Sequence, residues 1–317
     1  MLLSKPRPLQ RGDLIALVSP SGPAPREGLE AGMAYLEGRG YRIRPGRHLF
    51  ARHHYLAGTD QQRAADLGEA FADPQVRAVF CARGGYGAGR LLDRLDYAAV
   101  ALDPKIVLGF SDTTALHLAL QARCGLVCFT GGLVSMDLAD ERDPFTEEWL
   151  WRSLSSAEAL GALPLGAEFK VLRPGRASGP LLGGCLSLLC SLLGTSYVPD
   201  LSGAILLLED VDEYPYRLDR MLNHLRLAGV LECLGGLVLG QFKDCFIPEE
   251  TGRSPNLEEM VMELTEGLDL PVVAGVPYGH FKRRLVLPLG VEAVLDTYVP
   301  QLSLVESAFR VDQEGRG

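Results

Sequence analysis

The feature that most limits how this chain can fold is the exchange of short apolar runs and helical spacing through its first half. "DLIALVSP", "YRIRPG", "VRAVFCA" and "KIVLG" have the length and β-prone content of strands. Between them, "PREGLEAGMAYLEGRG", "TDQQRAADLGEAFAD", "GAGRLLDRLD" and "TTALHLALQARCG" carry apolar residues at helical intervals. Their stops fall at Gly38 or Gly40, at Asp73-Pro74 and at Gly125, and Thr59 or Asp60 supplies a cap. Strands alternating with helices imply a parallel sheet covered on both faces. Right-handed crossovers then place every strand's C-terminus on one edge, where such sheets bind ligands. The expectation is that "SPSG" (19–22), "RGGYG" (83–87) and "GFSD" (109–112) meet there.

The pattern changes near residues 137–176, where an acidic helical stretch is followed by loop-rich sequence. This divides the chain into an N-terminal domain, 1–140, a connection, 141–176, and a second domain, 177–317; a length of 317 residues suits two domains. In the second domain the apolar stretch "LLGGCLSLLCSLLG" (181–194) reads as a buried helix, too short for a bilayer. "GAILLLED", "LGGLVLGQF" and "PVVAGVPYGH" read as strands, "YRLDRMLNHLRLAGVL" and "NLEEMVMELTEGL" as helices, and the tail from 285 as antiparallel strands. A net charge of -9 opposes general nucleic-acid binding. The first residues lack the charged start and apolar core of a signal peptide. Seven scattered cysteines without a CxxC pair read as buried free thiols, so the expected location is the cytoplasm, with no membrane or nucleic-acid partner.

Ser111 stands where the strand "KIVLG" turns into a helix. A serine there is either an N-cap, satisfying an orphan N–H, or a nucleophile facing a helix start that favours negative charge. The segment is G-x-S-x-T, not the G-x-S-x-G of α/β-hydrolases, and no HGGG-like segment is present. A serine nucleophile needs a base, and His280, at the end of the apolar run in "VPYGHFKRR", is a base or a loop histidine. His117 lies almost two turns along the helix and should point away. The base needs an acceptor to set its tautomer. Glu209 closes "AILLLE", with Asp210, Asp212 and Glu213 as rivals that would otherwise cap the next helix. "ARGGYGAGR" misses the dinucleotide spacing, because Arg90 and Leu92 stand where its last glycine would be. Its glycines suit close backbone approach, with Gly85, or else Gly84, presenting an N–H to an oxyanion beside that of Asp112. There is no HExxH, so no metal is expected. Lys282, Arg283 and Arg284 either attract a substrate carboxylate or form a solvated loop.

"VSPSGP", "RGGYGAGRLLDRLD", "GFSDTTALHLAL", "GPLLGGCLSLLCSLLGT", "LLLEDVDEYPYRLDRMLNHLRLAGVL" and "GHFKRRLVLPLG" occur in an order that resembles the LD-carboxypeptidases, from about residue 10 to about 300. The resemblance implies an α/β fold: an N-terminal parallel-sheet domain like class I glutamine amidotransferases and a smaller C-terminal α/β domain with antiparallel strands. It implies a Ser111–Glu209–His280 triad shared between the domains, and an oxyanion hole from Asp112 and Gly85. Arg83, Gly84 and Tyr86 are then expected to contact substrate. The implied reaction releases terminal D-alanine from murein tetrapeptides, in a homodimer without metal or organic cofactor. Peptidases of microcin C self-immunity resemble the same triad and carry a longer loop with an aromatic clamp for a nucleobase. No such insertion is evident here, and Trp149 and Trp151 both fall in the connecting helix. A two-domain binding protein without catalysis is the more distant alternative.

Overall fold

The computed structural model describes residues 3–139, 141–246 and 255–310. In the front lobe, strands β1 (Leu14–Val18), β2 (Arg42–Pro45), β3 (Val76–Cys81), β4 (Ile106–Gly109) and β5 (Cys128–Thr130) pair in parallel, in the order β2-β1-β3-β4-β5. β1 is buried along its whole length, as expected of a strand covered on both faces. Helix Asp60–Ala72 starts at Thr59 with a reciprocal capping box to Gln62. Helix Thr114–Cys124 ends at Gly125, whose φ of 65° is the left-handed cap.

The rear lobe holds β6 (Gly161–Ala162), β7 (Lys170–Arg173), β8 (Arg176–Cys185), β9 (Ile205–Val211), β10 (Gly236–Lys243) and β11 (Val272–Ala274). β12 (Leu287–Leu289) leaves this lobe and closes the front sheet against β5, antiparallel. β13 (Glu292–Asp296) and β14 (Gln301–Leu304) return to the rear sheet, whose order is β6-β14-β13-β8-β9-β10-β11-β7. β8 to β11 run parallel, and antiparallel strands flank them on both sides. The fold is thus mixed α/β with one mainly parallel front sheet and a second, mixed sheet. One cluster of buried side chains runs from Ile15, Phe80 and Leu108 through Phe129 and Leu287 to Leu181, Leu207 and Val238. The two lobes therefore share a core, and groups on either side of the seam are held at fixed separation.

Three segments differ from their reading in the sequence. Residues 181–185 belong to β8, and the helix is confined to Leu186–Leu192. Gly183 and Gly184 adopt φ of 123° and 131°, outside the helical region. A side chain at Gly183 would run into the carbonyl of Leu207 on β9. An apolar run cannot by its period distinguish a buried strand from a buried helix. "GAGRLLDRLD" forms a 3-10 turn, Ala88–Arg94, and a short helix, Tyr97–Leu102, comes after it under an Asp96 cap. The strand expected over "PVVAGVPYGH" stops at Ala274. Gly275, at φ 76°, turns the chain beside the carbonyl of Glu168 and opens an irregular loop.

Candidate active site

"SPSG", "RGGYG" and "GFSD" do meet at the C-terminal edge of the front sheet. The N–H of Gly22 donates to the carbonyl of Gly84 at 3.0 Å. A Cβ placed on Gly84 would lie 2.9 Å from Cβ and 3.2 Å from Oγ of Ser111. This is the close approach that a glycine permits and any side chain forbids. The buried Asp112 carboxylate accepts the N–H of Ala88 at 2.8 Å and so ties the elbow to the glycine-rich loop. Gly85 is exposed at φ 105°, and no hydrogen bond engages its N–H among the described residues.

Ser111 itself has φ 64°. A left-handed, non-glycine residue between a buried strand and a helix is strained by about 1–3 kcal/mol and persists because its surroundings hold it. Its side chain caps no helix; the turn Ser111–Thr113 and the helix behind it start without a side-chain cap. The hydroxyl instead lies 2.9 Å from Nε2 of His280. Nδ1 of the same ring lies 2.6 Å from Oε2 of Glu209. Glu209, in the second half of β9, is fully buried, whereas the His280 side chain is 19% exposed. Burial pushes the Glu209 carboxyl above the usual carboxylate range, and the hydrogen bond to His280 pulls part of the way back. Its rivals are placed elsewhere: Asp210 accepts the N–H of Ser187 at the start of the helix behind β8, and Asp212 is exposed. His117 is buried within its helix with both ring nitrogens unpartnered, and burial pushes its pKa down to about 3.

Among the other expected contacts, Arg83 and Tyr86 are exposed on the glycine-rich loop. Tyr86 meets Tyr55 edge-on at 5.7 Å. The basic stretch after His280 is neither wholly solvated nor free to bind an anion. Lys282 pairs with Glu141, and Arg283 lies over the Phe145 ring. Arg284 is buried: Nε donates to the carbonyl of Gly131, Nη1 to that of Phe281, and Nη2 to the Asp137 carboxylate. Its guanidinium also stacks 4.6 Å from the ring of Phe110, which itself packs 4.7 Å from His280.

Sequence reasoning missed Arg284 in this role, and also Arg63 and Tyr278. The fully buried Arg63 donates to the carbonyls of Pro20 and Gly87 and pairs with Asp60, which fastens the 19–22 loop to the glycine-rich loop. Tyr278 shares a 2.7 Å hydrogen bond with Thr130 of β5. Arg63 lies on the helix Asp60–Ala72 and the other two on the His280 loop, and each takes its task from partners distant in the sequence.

A hydroxyl, an imidazole and a buried carboxylate in hydrogen-bonded series are what acyl transfer by a serine requires. Residues 15–131 match the LD-carboxypeptidase N-terminal domain, and residues 178–295 match the LD-carboxypeptidase C-terminal domain. The chain belongs to the LD-carboxypeptidase family. A probable murein peptide carboxypeptidase of Bacillus subtilis is 36% identical over 294 residues, 92% of each chain. Among solved structures, a muramoyltetrapeptide carboxypeptidase from Oxalobacter formigenes superposes with a TM-score of 0.81 at 32% identity, covering 92% of this chain and 97% of that one. The microcin self-immunity protein MccF, in complex with adenosine monophosphate, superposes with a TM-score of 0.88 at 26% identity, covering 96% and 99%. Both matched regions contribute to the candidate site: Ser111 from the first, Glu209 and His280 from the second. The family and these relatives support a carboxypeptidase activity. No described helix is long and apolar enough to cross a membrane.

Proposed function

We propose that this chain is a serine-type LD-carboxypeptidase that releases terminal D-alanine from murein tetrapeptides through an acyl-enzyme on Ser111. The observation that carries the reading is the continuous series Ser111 Oγ, His280 and Glu209, with spacings of 2.9 Å and 2.6 Å. In this reading Ser111 Oγ attacks the carbonyl carbon of the scissile amide while Nε2 of His280 takes the hydroxyl proton. Glu209, held on Nδ1–H, fixes the tautomer and stabilises the imidazolium. The oxyanion lies against the N–H groups of Asp112 and Gly85, with Gly84 as the alternative donor. His280 then passes its proton to the leaving amine of D-alanine, and the C–N bond breaks. Water, deprotonated by His280, attacks the ester and restores the Ser111 hydroxyl. None of these steps calls on a metal or an organic cofactor.

The triad is complete within one chain; the proposed homodimer would therefore stabilise or shape the site rather than complete it, and the enzyme would work in the cytoplasm on recycled wall peptides. The assay is release of free D-alanine from murein tetrapeptide by the wild-type chain and by Ser111→Ala. Turnover by the first and none by the second supports the reading; intact tetrapeptide with folded wild-type enzyme defeats it.

A second reading, cleavage of a peptide–nucleotide conjugate, is favoured by the 0.88 TM-score to MccF. Both tryptophans of this chain are buried, Trp151 stacked on Tyr41 at 5.3 Å, so neither is available to clamp a base. Cleavage of such a conjugate in preference to tetrapeptide would select that reading.

A further inference from the structure

We propose that Arg83 binds the free C-terminal carboxylate of the substrate and so makes the site an exopeptidase, cutting at an unblocked end and sparing an amidated one. The inference rests on the carboxypeptidase reading above and assigns the residue that enforces it.

A carboxypeptidase must recognise a charge next to the bond it breaks. Bond lengths put the terminal carboxylate carbon at most about 4 Å, along the chain, from the attacked carbonyl carbon. The cation that binds it must therefore sit beside Ser111. The protein carries a net charge of -9, which works against an anionic substrate unless a local cation offsets it. The basic side chains around the elbow and the His280 loop are nearly all committed. Arg63 and Arg90 share Asp60, Arg284 pairs with Asp137, Lys282 with Glu141, and Arg217 with Glu213. Arg283 covers the Phe145 ring.

Arg83 is different. It immediately precedes Gly84, the residue packed on Ser111, and its side chain is exposed. One guanidinium N–H, on Nη1, donates to the carbonyl of Pro23 at 2.8 Å. That bond fixes the arm over the 20–25 loop and leaves Nε and Nη2 unspent. Arg83 has no acidic partner among the described residues. A guanidinium tethered through one nitrogen, with an open fork, suits a planar carboxylate better than an ammonium would. Arg52 also lacks an acidic partner among the described residues, and it is exposed three residues before Tyr55, the ring that meets Tyr86. It is the rival for the same task.

The plain alternative is that Arg83 only staples the Pro23 loop. The two roles separate on a pair of substrates: murein tetrapeptide with a free terminal carboxylate, and the same peptide as its C-terminal amide. Wild-type enzyme is expected to favour the acid by about 10- to 100-fold in kcat/KM, the range of one charge-assisted contact. Arg83→Gln should lose about that factor on the acid, mainly through KM, and far less on the amide, so the preference collapses. Arg83→Lys should recover part of it, and Arg52→Gln should leave the preference intact. Equal losses on both peptides with Arg83→Gln, no loss at all, or a collapse caused by Arg52→Gln would each overturn the proposal. Wild-type enzyme that cuts neither peptide would overturn the carboxypeptidase reading itself, which is a different failure. Binding of both peptides to Ser111→Ala gives the same comparison without turnover.

Discussion

The elbow at Ser111 and the loop at His280 meet at a single hydrogen bond, yet they are kept in place by different means. The elbow is built from its own neighbours in the chain: a buried strand, a three-residue turn and an eleven-residue helix, with strain stored at one φ of 64°. The His280 loop has no regular structure between Ala274 and Leu287. It is held by long-range bonds: Tyr278 to Thr130, Arg284 to Gly131 and Asp137, and the carbonyl of Tyr278 to the N–H of Gln241. Ser111 is thus positioned by secondary structure and His280 by tertiary contacts. The two halves of the proposed triad should therefore fail differently.

Four substitutions test that difference. Ser111→Ala should lower kcat/KM by about 10⁴-fold or more while the unfolding transition stays where it was. A thermal melt beside a D-alanine assay reads both. Gly84→Ala adds a methyl group 2.9 Å from Cβ of Ser111, so it should cost about 10²-fold in kcat/KM with a modest loss of stability. Activity close to wild type would show that the glycine wall is not part of the elbow's geometry.

Arg284→Met addresses the other half. It leaves the buried Asp137 carboxylate without its cation, and burial already raises that carboxyl pKa. The expected loss is about 3 kcal/mol in urea unfolding, together with a fall in kcat, because the His280 loop loses its anchor to the front lobe. A normal kcat in the protein that remains folded would show that the loop is positioned without this anchor.

A small change in stability, opposite in sign to the loss of activity, is expected at Glu209. Its folded-state pKa is raised, so near neutral pH the native protein holds a carboxylate at a cost that the unfolded chain avoids. Stability contributed by this group is greatest when it is protonated and falls as pH rises from the ordinary carboxylate range through the raised folded value. Glu209→Gln should therefore abolish most turnover yet raise stability by about 1 kcal/mol at neutral pH. That gain should shrink as pH is lowered toward the ordinary range, where wild type is protonated too. Urea midpoints at two pH values measure it, and a gain that grows on acidification would contradict the burial argument.

Much of the front lobe is legible in the sequence because its signals are local. The capping box at Thr59, the stop at Gly125 and the small residues around Ser111 each act within a few positions. "LLGGCLSLLCSLLG" reads wrongly as one helix because burial on both faces erases the period that separates strand from helix. His280 stands in the sequence at the end of an apparent strand, but it rides on a loop that Gly275 releases and Arg284 recaptures. The basic run 282–284 looks like one feature and is three: a surface ion pair, an aromatic contact and a buried anchor.

By itself the sequence determined the alternating elements, the edge on which the glycine and serine loops gather, and the residue types able to carry acyl transfer. These arise from interactions between residues close in the chain, where composition and spacing are sufficient. Tertiary structure was needed to show that Arg63 and Arg284 act as internal ties and that β12 crosses back to seal the front sheet. Those outcomes depend on which distant segments meet: Arg63 reaches the carbonyls of Pro20 and Gly87, Arg284 reaches Gly131 and Asp137, and β12 pairs with β5 across more than 150 residues of chain.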